Sequence, residues 1–149
     1  MARIVVLVGL PGSGKSTYLE RQGVTGLSSD TLRKWLVDDE GDQSIHDRVL
    51  QTMRYLLRQR LAIGRPVTYI DATNLTPGER RPYIAIGRAY GCEVEAVFFD
   101  VPAEVCRARN AARRRVVPDE AMDKMEAKLA PPSLEEGFDR ITRIAEENS

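Results

Sequence analysis

The stretch GLPGSGKS, Gly9 to Ser16, ends a glycine-rich turn with a lysine and a hydroxyl, which suits it to holding a polyphosphate. It fits GxxxxGK[ST] in full and directly follows the apolar run RIVVLV. Gly9, Gly12 and Gly14 let the backbone around Leu10, Pro11 and Ser13 curl into a nest of N–H groups. The helix that follows turns its positive end toward the same anion. In that arrangement Lys15 reaches the β- and γ-phosphates and the Ser16 hydroxyl ligates Mg²⁺, while Thr17 is placed for the α-phosphate. A glycine turn matching by chance would need neither a strand before it nor a helix-compatible segment after it. Binding of ATP, or another nucleoside triphosphate, with Mg²⁺ is the expectation.

Two further acidic positions could act on such a ligand. Asp71 closes the run VTYID, where a strand-end carboxylate acts on Mg²⁺, often through a water, or orients a neighbouring cation. A turn-forming Asp before ATN is the other reading. Asp30 and Arg33, in LSSDTLRKW, read either as a capped helix start with a solvated arginine or as a hydroxyl-binding pair. No NKxD guanine-reading sequence occurs, and DDEG at Asp38 to Gly41 matches DxxG only within a polar loop. A switch GTPase is thereby disfavoured.

The bulk of the chain is undemonstrative. Its 149 residues suit one domain, and a net charge of zero advertises neither nucleic acid nor membrane. Of the 22 basic residues 18 are Arg, whose planar fork suits phosphate better than Lys does; for the scattered ones, codon bias explains as much. Cys92 and Cys106 form no CxxC, so reduced thiols in a cytoplasmic protein are expected. MARIVVLVGL runs into the glycine motif without a cleavage site and reads as a strand, not a leader. No run reaches membrane-spanning length. The single His46 reads as an unremarkable surface residue.

Apolar runs alternating with helical periodicity indicate an α/β domain with a parallel sheet. Strands are expected at Arg3 to Val8, Val24 to Ser28, Val67 to Asp71, Glu93 to Phe99 and Phe138 to Ile144. Ile45, Val49, Met53, Leu56, Leu57 and Leu61 recur at helical spacing and predict a long amphipathic helix up to Ile63. Thr76, Pro77 and Glu79 make a capping-box start for a helix that Gly91 stops. PAEVCRARNAARRR and PDEAMDKMEAKL predict two helices joined through an arginine-rich turn.

Taken together, GLPGSGKST, SSDTLR, DATNLTPGERR and RNAARRRVVPDEAM resemble the P-loop 5′-hydroxyl polynucleotide kinase domains of phage and bacterial repair enzymes. The related zeta-toxin-like and small-molecule kinases share the P-loop and much of the layout. The resemblance runs from Ile4 to about Ile144 and implies a single domain over 1–149 with an adenylate-kinase-like core. Its sheet order would be 2-3-1-4-5, with flanking helices and a small helical lid near 109–118. No appended phosphatase or ligase domain is expected here, although such kinases are often fused to them. Carried over, Asp30 becomes the general base for the attacking hydroxyl and Arg33 the grip on the phosphate beside the acceptor nucleotide. Arg113 becomes the lid arginine on the donor phosphates, with Arg114 the alternative register and Arg109 and Arg115 as helpers. Thr73 and Asn74 would line the acceptor side with Asp71. Nucleic-acid 5′-OH ends are the implied partner, and a path of Arg33, Arg80, Arg81 and the lid arginines would support that reading. A kinase for a small molecule or nucleotide sugar, and a non-catalytic nucleotide-binding module, stand as alternatives.

Overall fold

Ile4, Val5, Val6, Leu7 and Val8 leave no polar face, so as a strand, which their β-branched side chains favour, this segment must be covered on both sides. In the computed structural model, which describes residues 2–113 and 116–145, it is β1 (Arg3–Val8), at the centre of the sheet. After it come α1 (Lys15–Gln22), β2 (Leu27–Ser28), α2 (Ser29–Val37), α3 (His46–Ala62), β3 (Val67–Asp71) and α4 (Pro77–Ala89). They are followed by β4 (Glu93–Asp100), α5 (Ala103–Ala111), α6 (Asp119–Lys128), a 3₁₀ turn at Leu134–Glu136 and β5 (Arg140–Ala145). All strand pairs are parallel and the order is β2-β3-β1-β4-β5, as the resemblance implies.

Strand alternation divides the core. Ile4, Val6, Val8, Ile70, Val94, Ala96 and Phe98 face a layer built from Val49, Met53, Leu57 and Leu61 of α3 with Tyr83, Ile84 and Ile86 of α4. The α3 residues recur every fourth position, so one stripe of that helix is buried. Val5, Leu7, Tyr69, Val97 and Phe99 face the other way and are covered by Leu19 of α1. A third cluster of Leu10, Leu75, Val101, Cys106, Val117 and Met122 packs α5 and α6 beneath the P-loop. Both cysteines are buried and neither is in a disulfide.

Several boundaries differ from expectation for identifiable reasons. The β2 strand is two residues long; at the expected start, Val24 N–H instead closes α1 by donating to Leu19 O at 3.1 Å. The cap of α2 is Ser28, whose hydroxyl accepts from Thr31 N at 3.2 Å, not Asp30, which lies in the first turn. Thr76 caps α4, yet Glu79 returns to Leu75 N at 3.1 Å, one residue short of a reciprocal box. Phe138 turns into the core, and Asp139 accepts from Val94 N, which delays β5 to Arg140.

Candidate active site

The ends of β1, β2 and β3 point the same way, so the segments leaving them must meet. The P-loop leaves β1, α2 begins directly after β2, and DATN closes β3. Two bonds staple DATN to the root of the P-loop: Gly9 N donates to Thr73 O at 3.0 Å, and Asn74 Nδ2 donates to Leu7 O at 2.7 Å. Asn74 makes the second from a left-handed backbone (φ 48°), a conformation Asn tolerates better than most residues. Its amide, expected on the acceptor side, is therefore engaged with the backbone and only 3% of the residue is exposed.

Within the P-loop, Gly12 and Gly14 have φ of 85° and 106°. Leu10 and Pro11 turn inward, Ser13 is buried, and Ser16 and Thr17 are exposed at the start of α1. Lys15 Nζ donates to Gly9 O and Leu10 O, both at 2.8 Å, folding its ammonium over the loop. Burial pushes the Lys15 pKa down to about 8, opposed by the carboxylate of Asp71. Burial likewise pushes the Asp71 carboxyl up, opposed by Lys15. The two thus form the electrostatic centre of the cleft. Asp30 and Arg113 act on both members of this pair.

Asp30, Arg33, Asp71, Thr73, Arg109 and Arg113 all line one cleft with the P-loop. Arg109 Nη1 lies 3.4 Å from Gly12 O. Arg114 and Arg115 lie outside the described residues, so the alternative lid register falls there. Arg33 is not a solvated arginine: it is 3% exposed. Its Nη1 donates to Asp30 Oδ1 at 2.9 Å and to Glu40 O at 3.3 Å, and its Nη2 meets His46 Nδ1 at 3.2 Å. His46 is correspondingly half-buried beside the cleft rather than an ordinary surface residue. Arg80 moves furthest from expectation. It is fully buried and pairs with Glu136 through Nε and Nη2, both at 2.9 Å. Arg81 stays exposed, so a continuous basic path through both is absent.

The oxygen donors present suit a hard cation such as Mg²⁺: the Ser16 hydroxyl at the head of α1 and the Asp71 carboxylate, both lining the cleft. Among the described residues no group of three or more His, Cys, Asp or Glu could hold a metal by itself. Such an ion would therefore share its coordination with nucleotide phosphates and water.

A parallel sheet ordered 2-3-1-4-5, with a P-loop after its central strand and helices on both faces, is a fold this chain shares with solved P-loop kinases. Residues 4–132 match the family described as AAA domain, and the chain belongs to it. The bifunctional polynucleotide phosphatase/kinase of Schizosaccharomyces pombe is 26% identical over 148 residues, which cover 95% of this chain and 33% of that protein. A protein of Arabidopsis thaliana named transcription factor bHLH140 is 30% identical over 150 residues, covering 93% of this chain and 15% of that protein. The chain thus spans a third or less of these curated relatives. Chaetomium thermophilum Kti12 in complex with ADP-AlF3 superposes with a TM-score of 0.73 at 17% identity, over 98% of this chain and 90% of that one. The Mycobacterium tuberculosis APS kinase CysC, in complex with AMPPNP and APS, gives 0.62 at 20% identity, over 99% and 90%. A sugar kinase from Janibacter gives 0.67 at 19% identity, over 97% and 86%.

Proposed function

We propose that this domain transfers the γ-phosphate of ATP to the 5′-OH end of an RNA or DNA strand. The observation that carries this reading is the Asp30–Arg33 pair, held at 2.9 Å on the wall of the cleft that also contains Lys15 and Asp71. Similarity to a polynucleotide phosphatase/kinase over nearly the whole chain supports the choice of acceptor.

Each residue then has a task. The P-loop amides and Lys15 bind the donor phosphates, and Ser16 with Asp71 would hold Mg²⁺, which supplies charge neutralisation at those oxygens. Asp30 orients the acceptor hydroxyl and takes its proton as the nucleophile acidifies. Phosphoryl transfer through a loose transition state needs mainly positioning and charge stabilisation. Lys15 and Arg113 supply the latter as negative charge moves onto the leaving oxygen. End recognition needs few phosphate contacts, so a chain of zero net charge is adequate for it.

A small-molecule acceptor is the second reading, favoured by structural neighbours whose names specify APS and sugars. The test is incubation with Mg²⁺, γ-labelled ATP and oligonucleotides bearing either 5′-OH or 5′-phosphate. Label on the 5′-OH oligonucleotide alone is expected; none on either rejects the polynucleotide acceptor. In the same assay Asp30→Asn is expected to keep ATP affinity and lose at least about a hundredfold in turnover. Wild-type turnover in that variant would remove Asp30 from the chemistry.

A further inference from the structure

We propose that His46 is a positioning residue of this site, its Nδ1 accepting a hydrogen bond from Arg33 and so fixing the Asp30–Arg33 pair against the cleft. The catalytic meaning of the pair rests on the function proposed above; the contact itself does not.

The first support is hydrogen-bond inventory. A guanidinium has only donors, so the 3.2 Å approach of Arg33 Nη2 to His46 Nδ1 requires that nitrogen to be bare. The ring proton must then sit on Nε2. The second is the state of Arg33. Its guanidinium is buried and its Nε has no hydrogen-bond partner. Asp30 Oδ1, Glu40 O and His46 Nδ1 therefore carry the satisfaction of an interior cation, and the loss of one leaves a buried donor costly to desolvate.

The third is placement. His46 is the first residue of α3, where the positive end of a helix disfavours an imidazolium. Burial disfavours it most, and Arg33 from α2 comes next. Lys128 from α6 adds to them, while Glu79 from α4 and Asp47 on α3 oppose. The balance holds His46 below the ordinary imidazole range. A neutral ring is the state that can accept from Arg33. Protonation would turn Nδ1 into a donor beside a buried guanidinium. Arg33 would then lose a partner and Asp30 its anchor.

His46 is the only histidine in the chain, so its ring signals are unambiguous in a long-range ¹H–¹⁵N NMR spectrum. The Nε2–H tautomer is expected at neutral pH, with a titration midpoint below that of free imidazole side chains. A slowly exchanging Arg33 side-chain N–H signal is expected in wild type and His46→Asn and lost in His46→Ala, because the Asn oxygen can stand where Nδ1 stood. With the 5′-OH oligonucleotide, His46→Ala is expected to lower kcat on the order of tenfold or more at unchanged KM for ATP. His46→Asn is expected to keep most of the kcat and lose the His-dependent acid limb of the pH profile. Melting and ATP affinity establish that each variant is folded. An Nδ1–H tautomer, an imidazolium at neutral pH, or an unaltered Arg33 signal in His46→Ala overturns the proposal. So does wild-type kcat with a wild-type pH profile in His46→Ala. If the wild type phosphorylates no oligonucleotide, the acceptor assignment fails, and the NMR signals alone decide the His46–Arg33 contact.

Discussion

Lys15 is charged in most aqueous settings up to high pH, yet here burial brings its pKa to about 8. The ammonium is favoured again when phosphate oxygens surround it, since an opposite charge stabilises the protonated form. Nucleotide binding should therefore take up a proton between about pH 8 and the pKa of the bound state. ATP affinity should weaken as pH rises through about 8, the value set by burial against Asp71. Calorimetry in buffers of different ionisation enthalpy reads the proton uptake directly. Lys15→Met should bind more weakly and show no such dependence. A flat affinity profile for the wild type across that range would mean that Lys15 is not the group meeting the phosphates.

At the scale of elements, the P-loop is held as much by what it rests on as by its own glycines. A Cβ built on Gly12 would stand 2.4 Å from Cys106 O, a backbone atom of α5, in addition to the penalty of a φ of 85°. Gly64 shares the left-handed backbone (φ 83°) but faces open space. Gly64→Ala should cost about 1 kcal/mol, the conformational term alone. Gly12→Ala should cost about 2–4 kcal/mol and weaken ATP binding about tenfold, because the loop must lift off α5. Urea denaturation and nucleotide titration of both variants check this, and equal losses would show that the loop does not rest on α5. The comparison also shows what the sequence discloses. The P-loop and the long stripe of α3 were legible because local spacing dictates them, whereas the strand order came only with the family resemblance. The partners of Asn74 and His46, and the contacts of Arg33 beyond Asp30, were not, because they come from other elements and leave no periodic trace. His46 alone carried a faint signal, standing at the start of a helix whose preceding loop must return from α2.

Across the whole molecule, the zero net charge and ordinary core conceal one polar hub that ties distant segments together. Arg80 donates to Asn74 O at 2.9 Å and Ala130 O at 3.0 Å, and forms the paired contact with Glu136. One guanidinium thus joins α4, the DATN segment beside the P-loop and the stretch that leads from α6 to β5. Burial alone would raise the Glu136 carboxyl, but the bonds from Arg80 and Ser133 outweigh it and hold it below the usual glutamate range. A carboxyl depressed in the folded state contributes stability that is complete above its unfolded pKa and is lost as pH falls through the folded one. The wild type should accordingly lose stability below about pH 4.5, the ordinary value for this group. Arg80→Met leaves the Glu136 side chain, 12% exposed, without its cation and two carbonyls without a donor. Breaking a buried pair from one side costs about 3–5 kcal/mol, which corresponds to a fall in Tm of roughly 10 °C or more for a domain of this size. Glu136→Gln should cost less, since its amide oxygen still accepts from Arg80, and should flatten the acid dependence. Thermal melts of the three proteins at neutral and acid pH measure all of this. A variant lacking Arg80 that melts with the wild type, yet loses oligonucleotide phosphorylation, would return Arg80 from the core to the substrate path.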